Sequence, residues 1–219
     1  MTSPDGAVGR LVVCPTPIGN LGDVTLRVLA ALREADAIAC EDTRRTRVLL
    51  DRYAMKEVRA AGSGSEGFVR GGHGEGHVQG GHGEGHVRGG HGEGDIQDGQ
   101  IAGVLVSYHE HNERERAREL VGRIEQGAFV ALVSDAGMPV VSDPGYRLVH
   151  ECIAAALPVE VLPGASSVTT AIVAAGLPAE RWRFVGFLPR KRAELARMLL
   201  GTSETLVAFE SPQRLTATL

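Results

Sequence analysis

The sequence predicts an α/β protein: a parallel sheet with helices on both faces, followed by a second α/β unit. Two observations carry this prediction. Apolar runs of about five residues alternate with amphipathic stretches of helical period, and the runs are almost wholly apolar, as strands covered on both faces must be. Nearly every run then ends in a loop rich in Gly, Pro, Ser or Asp, which is where an open parallel sheet places its ligands.

In chain order, RLVVCPT reads as the first strand and VTLRVLAALREA as a helix, with Asp23 the expected N-cap. AIACE is the second strand and RRTRVLLDRYA the second helix. GVLVSYH, the helix NERERARELVGRIEQG closed by Gly127, the strand FVALVS and the helix PGYRLVHECIAAA follow. PVEVLPG is the fifth strand of the first unit, residues 9–162. A second unit, 163–219, begins with the helix SSVTTAIVAAGLP, the strand WRFVGFLP, the helix KRAELARMLLG and the strand TLVAFES. The chain stops at QRLTATL as a further helix starts, so this second domain is expected to be C-terminally truncated, with open strand edges and weakened ligand binding.

Residues 62–97 interrupt the pattern with four nine-residue units, GSGSEGFVR, GGHGEGHVQ, GGHGEGHVR and GGHGEGDIQ. So few apolar side chains cannot offset the entropy of ordering, and the stretch 62–100 reads as a disordered insertion. Its histidines, His73, His77, His82, His86 and His91, would make a weak metal tract at best. The resemblance to a calcium-binding nonapeptide fails because glycine stands at the aspartate position. No metal is expected as a cofactor.

Hydrophobic residues make up 43% of the 219, enough for a real core, with no apolar run long enough to span a bilayer. The N-terminus MTSPDGAVGR lacks the basic-then-apolar order of a secretory signal. Cys14, Cys40 and Cys152 are odd in number and isolated, which favours buried free thiols in a reducing compartment. The expected location is the cytoplasm. The net charge of −4 resides in 62–100, so the remainder is neutral and its arginine clusters leave an RNA partner open.

The strand-end loops are PTPIGNLGD, EDTRR, HEHNE, SDAGMPVVSDPG and PGASS. The first has neither a dinucleotide fingerprint nor a P-loop pattern. The fourth, Ser134–Gly145, spends twelve residues where about two to six suffice for a strand-to-helix turn. Its glycines allow close backbone approach to a ligand, and Asp135 and Asp143 can accept from hydroxyl or amino groups; a pair of Asx turns is the alternative.

SDAGMPVVSDPG strongly resembles the signature of the small-subunit methyltransferase I family, which 2'-O-methylates a cytidine of 16S ribosomal RNA from S-adenosyl-L-methionine. PTPIGNLGDVTLR, ADAIACEDTRRTRVLL, HEHNE, LPGASSVTTAIVAAGLP, GFLPRK and FESPQRL fit the same family in the same order, covering residues 11–219 apart from 56–103. The resemblance implies a tetrapyrrole-methylase-like fold, two α/β domains enclosing the cofactor, a small-ribosomal-subunit RNA partner and a homodimer. It also assigns residues. Asp135, Ala136, Gly137 and Met138 would line the methionine portion, with Pro17, Ile18 and Gly19 beneath and Ser166 and Ser167 beside it. Phe187, Phe209 and Glu210 would approach from the second domain.

Methyl transfer to an oxygen is an in-line displacement in which alignment does much of the work, and a general base contributes about 10²–10⁴-fold. His109 and His111 are candidate bases, placed on one face if the strand end stays extended, with helix capping the plain alternative. Glu41 and Asp42 are further candidates, or merely salt-bridge partners of Arg44 and Arg45. Arg44, Arg45 and Arg47, and Arg190, Lys191 and Arg192, suit RNA phosphates, although each set also reads as a solvated helix face. Two departures from the family pattern stand out, the 62–100 insertion, whose ends are expected near the strand-end rim, and the early stop. The alternatives are a tetrapyrrole methylase of the same fold, a metal-buffering protein built on the His repeat, and an inactive truncated homologue.

Overall fold

The computed structural model describes residues 9–57, 100–101 and 103–218. Five strands form one parallel sheet: β1 (Arg10–Cys14), β2 (Ala37–Cys40), β5 (Val104–Ser107), β6 (Phe129–Val133) and β7 (Val159–Val161). Their order is β5-β2-β6-β1-β7. The short β3 (Lys56–Glu57) and β4 (Gln100–Ile101) pair with each other. Helices α1 (Leu26–Glu34), α2 (Thr43–Arg52), α3 (Glu113–Glu125) and α4 (Tyr146–Ala154) connect the strands.

The pattern of apolar runs explains the layering. Every residue of β6 is buried, whereas Val104 on edge strand β5 and Val161 on edge strand β7 are exposed. One face of the sheet packs Val12, Cys14, Ile38 and Ala131 against Val28, Leu29 and Leu32 of α1 and Leu49 and Leu50 of α2. The other packs Leu11, Val13 and Leu132 against Ala117, Leu120 and Ile124 of α3 and Leu148 and Cys152 of α4. Each fully buried Leu or Ile contributes roughly 1.5–3 kcal/mol, so these two layers hold the helices against both faces of the five-stranded sheet. All three cysteines are free and buried.

Beyond the sheet lie α5 (Ser167–Ala175), β8 (Trp182–Phe187), α6 (Arg192–Leu200), β9 (Thr205–Phe209) and α7 (Pro212–Thr218). β8 and β9 pair in parallel, with an irregularity between Phe184 and Phe187 that leaves Phe187 opposite Phe209. Val168 and Ile172 of α5 pack with Val207, Phe184 and Phe209, and with Val141 of the long loop.

Three sequence expectations are corrected. Asp23 does not cap α1: it ends a 3₁₀ turn, and Thr25 accepts the N–H of Val28 instead. The segment after β5 does not stay extended, because the carbonyl of His109 accepts from both Asn112 and Glu113 in a turn. The chain flanking the repeat is not at the strand-end rim. The N–H of Val104, just after β4, bonds the carbonyl of Asp36, so this junction lies where β2 and β5 begin, at the opposite edge of the sheet. The repeat itself falls outside the described residues.

Candidate active site

The long loop is pinned to the end of β1. Thr16 and Gly137 exchange two backbone hydrogen bonds of 2.9 Å. The buried Thr16 hydroxyl donates to the carbonyl of Ser134, and the Ser134 hydroxyl donates to the carbonyl of Gly137, each at 3.0 Å. Four residues of the loop have positive φ: Gly137 (84°), Val140 (75°), Ser142 (65°) and Gly145 (135°). For a β-branched residue such as Val140 this is strain, costing about 1–3 kcal/mol and held only by an over-determined surrounding. A Cβ on Gly137 would sit 3.3 Å from Cγ2 of Ile18, so glycine here keeps the approach open.

A cleft follows this loop. It is lined by Ala136, Gly137, Met138, Val141, Ser142, Asp143, Ser166, Ser167, Phe187 and Phe209. At about 90 Å3 it is smaller than the roughly 300–1,000 Å3 usual for a whole ligand and suits one end of a larger molecule. Phe187 and Phe209 meet edge to face at 5.5 Å, giving one apolar wall. The N-terminus of α5 also borders it, and Ser166 there makes no side-chain cap.

Asp143 is the only ionisable side chain among these lining residues. Burial, then the nearby carboxylates of Glu41 and Asp135, push it up to about 6. Sequence reasoning singled out Asp143 only as an acceptor; its environment comes from elements distant in the chain.

The other sequence candidates divide between the cleft and its surroundings. Ala136, Gly137, Met138, Ser166, Ser167, Phe187 and Phe209 line the cleft. Pro17 is buried, Ile18 is half-buried and Gly19 exposed. Asp135 is not among the lining residues: its carboxylate accepts the N–H of Asp42 at 3.2 Å and lies 3.3 Å from Arg45. Glu210 is likewise occupied, accepting from Ser211 and Thr218 and pairing with Arg214 beside α7.

A rim of titratable groups crosses the ends of β5, β2 and β6. The His109 and His111 rings stand 5.8 Å apart, and Nδ1 of His109 is buried without a partner. Burial and then Asp135 raise Glu41, while Arg45 and His109 oppose them. Asp42 caps α2 through Arg44 N and binds the Arg44 guanidinium, whose hydrogen bonds hold it down at about 2. Arg44, Arg45 and Arg47 are exposed along α2, as are Arg190, Lys191 and Arg192 at the start of α6, where Lys191 pairs with Glu194.

The family description Tetrapyrrole (Corrin/Porphyrin) Methylases matches residues 10–219. The chain belongs to that family. Among curated proteins, it is 37% identical over 214 residues to Ribosomal RNA small subunit methyltransferase I of Thermotoga maritima, covering 97% of this chain and 76% of the relative. The proteins of the same name from Micromonospora olivasterospora and Escherichia coli O157:H7 are 39% and 34% identical, over 96% and 97% of the chain. The chain spans 54% and 59% of those two relatives. Within the tetrapyrrole methylase family it therefore groups with the small subunit methyltransferase I proteins. Among solved structures, a uroporphyrin III C-methyltransferase of Thermus thermophilus aligns with TM-score 0.51 at 20% identity, covering 94% of this chain and 72% of that one. At that identity the match speaks for the fold, in agreement with the parallel sheet described above. Among the described residues no helix is long and apolar enough to cross a membrane.

Proposed function

We propose that this chain forms the cofactor-binding part of an S-adenosyl-L-methionine-dependent methyltransferase acting on small-subunit ribosomal RNA, at the ribose 2'-hydroxyl of a cytidine in 16S rRNA. The observation that carries the reading is the strained Ser134–Gly145 loop, tied to the end of β1 through Thr16 and Gly137 and forming one side of the cleft. The names of the relatives supply the acceptor class.

The lining suits such a cofactor. The Phe187–Phe209 wall offers a face for an adenine, Gly137 leaves the approach clear, and the uncapped start of α5 offers N–H groups to a carboxylate. Bound there, S-adenosyl-L-methionine supplies an electrophilic methyl group. The chain's own task is to hold the acceptor hydroxyl in line and to take its proton. Glu41, His109 and His111 stand on the rim where that hydroxyl would arrive, whereas Asp42 is occupied by its cap and by Arg44. Arg44, Arg45 and Arg47 on α2, and Arg190, Lys191 and Arg192 at the start of α6, are the exposed cations suited to phosphates, with Arg44 held by Asp42 and Arg45 by Asp135. The division into domains 9–162 and 163–219, the homodimer and the cytoplasmic location belong to the same reading.

The experiment is transfer of a labelled methyl group to purified small ribosomal subunits, followed by mass spectrometry of the RNA. Appearance of a 2'-O-methylcytidine supports the proposal. Retained binding of S-adenosylhomocysteine without transfer to any RNA, but with transfer to a porphyrin-like acceptor, would replace it.

A further inference from the structure

Asn112 stands at the N-cap of α3 and makes no side-chain cap there. Asparagine is among the best capping residues, so the omission forgoes a stabilising contact. Its side chain is turned back into the preceding loop: Oδ1 accepts the N–H of His109 at 2.8 Å, and Nδ2 donates to the carbonyl of Ser107 at 3.0 Å. The backbone N–H groups of Asn112 and Glu113 donate in turn to the carbonyl of His109, at 3.0 and 2.8 Å. Four hydrogen bonds thus close the turn that carries His109 and His111. We infer that Asn112 is a positioning residue for methyl transfer: its side chain fixes the two rim histidines relative to the ends of β2 and β5.

This inference rests on the functional reading above, in which those histidines meet the acceptor, and adds the residue that sets them. Ser107, gripped by Nδ2, is in register with Cys40, and the N–H of Tyr108 donates to the Cys40 carbonyl, so the turn is anchored beside Glu41. Tyr108 itself is buried in the core with Leu120 of α3 and Leu148 of α4, which denies the turn a pivot. Nδ1 of His109 is buried without a partner among the described residues, which leaves Nε2 to meet an arriving group. Restraint of the His109 backbone therefore decides where that nitrogen lies, and the His111 ring stands edge-on to it at 5.8 Å. The turn also acts on the cleft: besides burial, Glu41 feels the charge of His109, and Asp143 of the lining feels that of Glu41.

The test compares Asn112→Ala with Asn112→Ser in methyl transfer to small ribosomal subunits, with a thermal melt of each. Serine caps a helix about as well as asparagine, but it is too short to hold the Ser107 carbonyl and the His109 N–H together. Both variants should lose about 10- to 100-fold in kcat, with the KM for subunits and the Kd for S-adenosylhomocysteine within about twofold of wild type. Asn112→Ser should regain melting temperature that Asn112→Ala loses, without regaining kcat. In proton–nitrogen correlation spectra of the imidazoles, assigned with His109→Gln and His111→Gln, the His109 signals should move in both Asn112 variants. A kcat that recovers together with melting temperature in Asn112→Ser would make the residue merely structural and overturn the inference. Full activity of a protein carrying both His109→Gln and His111→Gln would also overturn it, since Asn112 would have nothing to position, while the methyltransferase reading would stand. Failure of folded wild type to methylate any RNA would overturn that reading, and this inference with it.

Discussion

Asp135 latches the long loop to helix α2: one carboxylate oxygen lies 3.3 Å from Arg45, and the other accepts the backbone N–H of Asp42 at 3.2 Å. Asp135 thus restrains the backbone of the loop that lines the cleft. Asp135→Ala leaves the part-buried Asp42 N–H without its acceptor and should cost about 1–3 kcal/mol, read by urea denaturation. Asp135→Asn keeps an acceptor for that N–H and should recover most of the loss. Recovery no better than with alanine would assign the effect to the Arg45 pair instead.

Gly145 closes the loop at φ 135°, and a Cβ there would lie 2.8 Å from Cδ2 of Leu132 and 3.0 Å from Cγ2 of Val140. Gly145→Ala is expected to destabilise by about 1–3 kcal/mol, combining backbone strain with overpacking. A melting temperature within error of wild type would contradict this packing.

The three thiols are shielded to different degrees but in the same direction. Burial pushes Cys14 up to about 12 and Cys40 and Cys152 up to about 11. A thiolate is the reactive form, so a disulfide reagent at pH 8 should modify none of them quickly in the native chain and all of them after denaturation. Rapid native labelling at any one would place that cysteine at the surface.

Asp143 also makes a prediction about stability. Its pKa rises from 3.8 to about 6 on folding, so between those values the native state holds more protons than the unfolded one. The native chain is therefore favoured at low pH by this group and loses that advantage as pH rises through 6. Asp143→Asn should then be more stable than wild type near pH 7.5, with the difference vanishing toward pH 4. Denaturation curves at pH 4.5 and 7.5 check the sign, and a variant less stable at pH 7.5 would refute it.

The elements were readable because their signals are local. β6 is FVALV with every residue buried, and Gly176 follows α5 where the apolar pattern ends. The cap of α1 was misread because Asp23 and Thr25 are both capping residues two positions apart, and only the packing of Leu21 and Val24 against the core chooses between them. The strand order was out of reach, since placing β6 between β1 and β2 depends on contacts roughly a hundred residues apart in sequence. In the site, the long loop and Asp143 were legible as strand-end chemistry, whereas Ala136, Gly137, Met138, Ser166, Ser167, Phe187 and Phe209 were named through the family resemblance. The orientations of Asp135 and Asp42 were not legible, because each is decided by an arginine or a backbone N–H whose position only the folded chain supplies.

The pairing of Lys56–Glu57 with Gln100–Ile101 brings two distant points of the chain together on the edge of the sheet away from the cleft. Because the β3–β4 pairing holds both ends of this stretch on the side of the sheet away from the cleft, a label or affinity tag grafted between them enters the chain far from the candidate site.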